Sequence, residues 1–248
     1  MEKQESQILL ETENYVIWNK KAGEICESWT NKSENPKDLY IPSILDALKE
    51  NEGDNKKNDT DEVVFECVNR LDRPVSGVVL VATNSKAFAM LTNVLNNKEE
   101  TLKEYWAVVS GIIPSQKEYQ LLSDFIYFDS KKRKSFIVDG PKNKAKSAKL
   151  MWKSLGAGDR YSFLSVKLIT GRTHQIRAQL ANKGYYIKGD VKYGSRRSDT
   201  LDGIRLHAAI MEFFDPFTKK ELHIEAPLWT VDPLWQAYFE AYKADKIG

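Results

Sequence analysis

The chain has 248 residues, 42% of them hydrophobic, and a formal net charge of +2. That is enough apolar material for one large core or two small ones, and no apolar run is long enough to span a bilayer. The acidic opening MEKQESQILLETENYV lacks the apolar centre of a signal peptide, and the two cysteines, Cys26 and Cys67, need no disulfide, so a cytoplasmic protein is expected.

In chain order, YVIWNKKAGE (Tyr15–Glu24) reads as a strand followed by a turn at Ala22-Gly23. LYIPSILDALKE (Leu39–Glu50) has helical spacing, and the polar, aperiodic NEGDNKKNDTDE (Asn51–Glu62) reads as a loop. VVFECV is a strand that leads into the charged cluster Arg70, Asp72 and Arg73. Pro74 and Gly77 then mark a tight bend before the Val- and Leu-rich strand Ser76–Thr83. Ser85 is the expected N-cap of a helix over Ser85–Asn97, with Phe88, Leu91 and Leu95 on one face.

KEYWAVVSG (Lys103–Gly111) is a strand with Tyr105 near its start. Further strands flank a lysine-rich block and continue through AKLMWKSL and YSFLSVKLIT. THQIRAQLANKG (Thr173–Gly184) is a short helix closed by glycine. IRLHAAIMEFFDP and KELHIEAP make a hairpin about an Asp215–Thr218 turn, and VDPLWQAYFEAYKA is a terminal helix. Many strands with a few scattered helices, and no regular βαβ alternation, predict an α+β fold.

Two features suggest chemistry. The first is Asp72, set among arginines on a bend. It reads either as part of a structural ion pair or as a nucleophile or base in a positively charged cleft. The second is LITGRTHQIRAQLANKG (Leu168–Gly184), followed by KGDVKYGS. Helix-start N–H groups beside Arg172 and His174 are suited to phosphate, with Arg177 one turn further on. The window 129–149 adds eight Lys/Arg against two Asp, a formal +6 that leaves the rest of the chain at −4. It reads as a polyanion contact or as a hairpin with a solvated basic face.

Three separated histidines and two unpaired cysteines give no metal-ligand spacing. A nucleophile elbow is absent, as are the Walker and dinucleotide-binding glycine loops. By elimination the chemistry rests on carboxylate, arginine and tyrosine, without a cofactor or metal.

Taken together, NRLDRPVSG (Asn69–Gly77), KEYWAVVSG, TGRTHQIR (Thr170–Arg177), GDVKYG (Gly189–Gly194) and the closing LHA and EAP resemble, in order, the motifs of the RluA family of RNA pseudouridine synthases. The resemblance implies a bent, mixed, largely antiparallel sheet with flanking helices and an RNA-binding cleft. It also implies one catalytic domain over 1–248, with its motifs between about 8 and 228 and no separate N-terminal RNA-binding domain. The implied reaction is cofactor-free isomerisation of uridine in rRNA or tRNA to pseudouridine, by a protein expected to be a monomer.

Asp72 matches the catalytic aspartate, Tyr105 the tyrosine stacked on the target base, and Arg177 the arginine paired with the aspartate. Arg70 matches the residue that fills the gap left by the flipped base. Arg73, Arg172, His174 and Gln175 are further RNA-binding candidates within the motifs. Lys131, Lys132, Arg133 and Lys134 become candidates for an RNA-contacting arm. The chain departs from the family at Asn69, where histidine is usual, and at Val75, where threonine is usual. An RNA-binding protein without catalysis, and a glycosylase that releases the base, are the rival readings.

Overall fold

The computed structural model describes residues 7–27, 43–52, 64–141, 144–199 and 203–247. The first residues of the expected Leu39 helix and nearly all of the expected Asn51–Glu62 loop lie outside them. The fold class is α+β, with mixed, largely antiparallel β-structure and four α-helices among the described residues. The chain gathers into two compact units. One comprises 1–101 with 210–227, and the other 102–209 with 228–248.

The first unit is built on β1 (Ile8–Glu11), β2 (Tyr15–Lys20), β3 (Glu66–Cys67) and β4 (Ser76–Ala82), with α1 (Ile44–Glu52) and α2 (Ser85–Asn96). β2 pairs antiparallel with β1 and with β4, and β3 pairs antiparallel with β4. Every residue of β2 is buried, including Asn19 and Lys20 at its end. Six of the seven residues of β4 are buried as well, as expected of an apolar strand covered on both faces. One face of α2 packs Ala87, Leu91 and Leu95 onto Tyr15, Ile17, Val78 and Leu80. Each large apolar side chain buried there contributes about 1.5–3 kcal/mol. The N-cap of α2 is Asn84 instead of Ser85: its side chain accepts the Ala87 N–H at 2.8 Å. Both residue types cap well, and the one with an extended backbone takes the role.

The second unit contains β5 (Leu102–Ser110), β6 (Gln120–Asp129), β7 (Lys134–Val138), β8 (Lys146–Ala157), β9 (Tyr161–Leu168) and α3 (Gln175–Asn182). Antiparallel pairing sets the order β5-β9-β8-β6-β7. The expected helix from Thr173 starts two residues later, and Gly184 (φ +81) follows its end as expected of a terminating glycine. α3 lays Ala178 against Ile126, Ala148 and Tyr193.

β10 (Leu206–Phe214) contributes its first residues to the second unit and its last to the first, where it forms the expected hairpin with β11 (Glu221–Glu225). The Asp215 carboxylate organises that turn, accepting from Phe217 N–H, the Thr218 hydroxyl and the Tyr15 phenol. α4 (Pro233–Ile247) returns to the second unit, where Tyr238, Phe239 and Tyr242 surround Trp106 of β5. No described helix is long and apolar enough to cross a membrane.

Candidate active site

In the first unit, Asp72 opens a turn closed by the Val75 N–H on its carbonyl at 2.9 Å. The bend is braced from inside. Lys20, fully buried at the end of β2, donates to the carbonyls of Val75 (2.6 Å), Lys21 (2.9 Å) and Arg73 (3.1 Å). Burial pushes its ammonium down to about 8, while Cys26, Glu24 and Asp72 pull the other way. Lys20 gives no sequence signal, since it reads as the polar end of a strand. The arginines beside Asp72 in sequence have other partners. Arg70, with 68% of its side chain exposed, meets Glu27 at 3.2 Å, and Arg73 Nε donates to the Gly23 carbonyl at 3.1 Å. A buried lysine thus adds a support to the turn that the sequence does not announce.

Both departures from the family pattern have a local account. Asn69 Nδ2 donates to the Val78 carbonyl at 3.1 Å, and its Oδ1 accepts the Leu80 N–H at 2.8 Å. The side chain therefore fastens the segment before Asp72 to β4 through two backbone bonds. Val75 is buried in the core, where a hydroxyl would need a partner.

In the second unit, Arg177 projects from the first turn of α3 and is 5% exposed. Its Nε and Nη2 meet the two carboxylate oxygens of Asp190, itself 2% exposed, at 2.7 and 2.9 Å. The Tyr193 ring covers the guanidinium, with its centroid 4.9 Å from the central carbon. Asp190 lies in the flagged stretch KGDVKYGS, yet the sequence alone assigns it no role. Glycine is required on either side of this acid. At Gly189 (φ +91) a Cβ would crowd Asp199 and the Gly203 carbonyl, and at Gly194 (φ +105) it would strike the Tyr186 ring. Behind the loop, buried Arg205 lies between Asp199 and Asp232, and Lys188 reaches Asp199 at 2.8 Å. Burial pushes the Asp199 carboxyl up, but the bonds from Arg205 and Lys188 outweigh it and hold the group well below the usual carboxylate range.

The other expected site residues fall into two groups. Gln175 is 3% exposed and its amide is engaged within the protein. It accepts from the Thr170 hydroxyl and the Arg172 N–H and donates to the Lys149 carbonyl. His174 sits in left-handed backbone (φ 54) at the head of α3, its Nδ1 2.9 Å from the Tyr193 hydroxyl. That hydroxyl accepts the Ser135 N–H at 2.8 Å and so ties β7 to α3. Arg172 is exposed, with its Nε on the Ser147 carbonyl at 3.0 Å. Lys131, Lys132 and Arg133 are exposed at the β6–β7 tip, whereas Lys134 lies 4.9 Å over the Tyr193 ring. Tyr105, on β5 opposite Val166, is nearly buried.

Residues 14–182 match the RNA pseudouridylate synthase family. The chain belongs to that family. It is 37% identical over 163 residues to an uncharacterized RNA pseudouridine synthase, YlyB, of Bacillus subtilis, a match covering 65% of this chain and 51% of the relative. A ribosomal large subunit pseudouridine synthase C of Buchnera aphidicola is 32% identical, over 66% of this chain and 53% of the relative. The chain thus spans about half the length of these two relatives. A tRNA pseudouridine synthase C of Haemophilus ducreyi is 31% identical across 96% of both chains. The fold is similar to that of human RNA pseudouridylate synthase domain containing 1, with a TM-score of 0.67 and 20% identity over 98% of this chain and 95% of that one.

Proposed function

We propose that this chain, an RNA pseudouridine synthase by family, isomerises uridine in tRNA, rRNA or both without a cofactor, acting as a cytoplasmic monomer. The observation that carries this reading is that Asp72, Tyr105 and Arg177 each keep their motif position inside residues 14–182. A match to a tRNA-named relative over 96% of both chains makes tRNA the first substrate to try.

The target uridine must leave its stack before a side chain reaches it, at a cost of a few kcal/mol. Arg70, largely exposed beside the Asp72 turn, is suited to fill the gap and offset part of that cost. Tyr105 stacks under the extruded uracil, an interaction typically worth about 1–3 kcal/mol. Asp72 is the catalytic carboxylate. The glycosidic bond breaks, the uracil turns, and a carbon–carbon bond joins it to the sugar. By its motif position Arg177 corresponds to the arginine that the family pairs with its aspartate, and a cation in that role keeps a carboxylate ionised. Arg73, Arg172 and His174 bind the RNA backbone, with the β6–β7 tip as an additional arm.

The test uses tRNA and rRNA transcripts carrying tritium on the uracil carbon that gains the sugar. Wild type should release tritium without changing RNA mass, which separates isomerisation from base excision. Asp72→Asn should release none while keeping its circular dichroism and RNA affinity. Turnover by the Asn variant at the wild-type rate would remove Asp72 from the mechanism.

A further inference from the structure

The only two cysteines of the chain meet beside the residue that precedes Asp72. Cys26 is 5% exposed and lies just beyond the Ala22-Gly23 turn. Its sulfur meets both ends of Leu71, accepting the Leu71 N–H at 3.4 Å and donating to the Leu71 carbonyl at 3.6 Å. Bonds to both backbone groups of one residue constrain both of its soft dihedrals. Those dihedrals set the direction in which the chain enters the Asp72 turn. Cys26 is in turn tethered by Cys67 of β3, whose thiol donates to the Cys26 carbonyl at 3.6 Å. β3 is paired with β4, so the restraint traces back to a strand buried along almost its whole length.

We propose that Cys26 is a positioning residue for Asp72. This rests on the reading of Asp72 as the catalytic carboxylate. The far side of the turn is already fixed by Lys20 and by the Gly23 N–H on the Arg73 carbonyl at 2.8 Å. Asn69 fastens the segment two residues before Leu71. Without Cys26, Leu71 is the unfastened link between these restraints, and Asp72 follows it directly.

The chemistry of sulfur fits the task. A thiol is a small, polarisable and largely apolar group, so it fills this buried volume at little desolvation cost and bonds at longer range than a hydroxyl. The Cys67 hydrogen bond holds the Cys26 thiol below its ordinary value, with burial opposing and the Leu71 N–H and Lys20 assisting. Cys67 is pushed up by the same interaction.

The experiment compares Cys26→Ala, Cys26→Ser and Cys67→Ala with wild type and Asp72→Asn, using single-turnover isomerisation, RNA affinity and amide hydrogen exchange. Cys26→Ala should lower the catalytic rate by on the order of 10²-fold, the effect of a misplaced reacting group, with RNA affinity unchanged. Its Leu71 amide should exchange faster while Val78–Val81 stay protected, which separates lost positioning from general destabilisation. Cys26→Ser should recover part of the rate, because a hydroxyl offers the same donor and acceptor, though Leu71 must move closer to meet it. Cys67→Ala, which loosens the tether of Cys26 but removes no bond to Leu71, should lose less rate than Cys26→Ala. A full rate in Cys26→Ala, an equal loss in Cys67→Ala, or unchanged Leu71 exchange would each overturn the proposal. An active Asp72→Asn variant would instead remove the catalytic reading on which it rests.

Discussion

The two units hold their charged candidate residues by different means. In the first, a turn, a buried lysine and backbone bonds hold Asp72, a half-buried residue. In the second, Arg177 is itself buried and is held by a bidentate acid and an aromatic face. A turn can present a charge while leaving part of it in water, so its solvation does not rest wholly on the protein. A guanidinium inside a helix–sheet junction has lost its hydration, and Asp190 supplies what water no longer does. The first arrangement should therefore tolerate loss of its charge, and the second should not.

The largest expected effect tests that contrast directly. Asp190→Ala leaves the Arg177 guanidinium buried without its acid and should cost about 3–5 kcal/mol in urea unfolding. Asp72→Asn should barely change the unfolding midpoint even though it abolishes turnover. Replacing both members of the buried pair, as Arg177→Met with Asp190→Leu, should recover much of the stability and none of the activity. A loss in Asp190→Ala of only about 0–1 kcal/mol, typical of an exposed ion pair, would erase the distinction between the units.

The same contrast explains what can be read from sequence. The Asp72 bend, β2, β4 and the Asp215 hairpin are legible because their signals lie within a few residues: apolar runs, Pro74, and a side chain that caps its own turn. The supports of the bend are not legible. Lys20 is 55 residues from the Val75 carbonyl it donates to, and Cys26 is 45 from Leu71. Arg177 stands out in the sequence as a candidate, but its partner Asp190 does not, because the polar stretch in which it lies gives no sign that its carboxylate turns inward. Gln175 shows the opposite case. Polar density at a helix start suggests an RNA contact, yet the amide is engaged inside the protein. Polar type alone does not reveal which way a side chain faces.

A smaller effect sharpens the account of the bend. The Lys20 ammonium is depressed by burial to about 8 from 10.5. Between those values the unfolded chain holds a proton that the folded chain has lost. The unfolded state therefore binds more protons, and the contribution of this group to stability rises with pH across that window. Lys20→Met has no such titration. Wild type should gain stability relative to Lys20→Met as pH increases from below 8 towards 10.5, measured by urea unfolding at each pH. A difference that stays flat would mean that the three carbonyls hold the ammonium charged throughout.

The smallest effect concerns the β6–β7 tip, where neither strategy applies because the charges are exposed and solvated. Lys131, Lys132 and Arg133 reach outward, but Lys134 leans on Tyr193, whose ring also covers Arg177. The sequence groups all four as one arm, and the structure separates the last from the rest. Lys131→Gln, Lys132→Gln and Arg133→Gln together should weaken RNA binding and flatten its salt dependence. Each phosphate that the variant no longer neutralises should lower the slope of log affinity against log salt by roughly 0.7–0.9. Catalytic rate at saturating RNA should hold, since none of the three lies within a family motif. Lys134→Gln alone should reverse the pattern, with little change in salt slope and a measurable change in rate through the ring that covers Arg177. If the triple variant binds RNA as wild type does at low salt, the tip is a solvated hairpin; if Lys134→Gln alters only the slope, the four residues act as the single arm read from sequence.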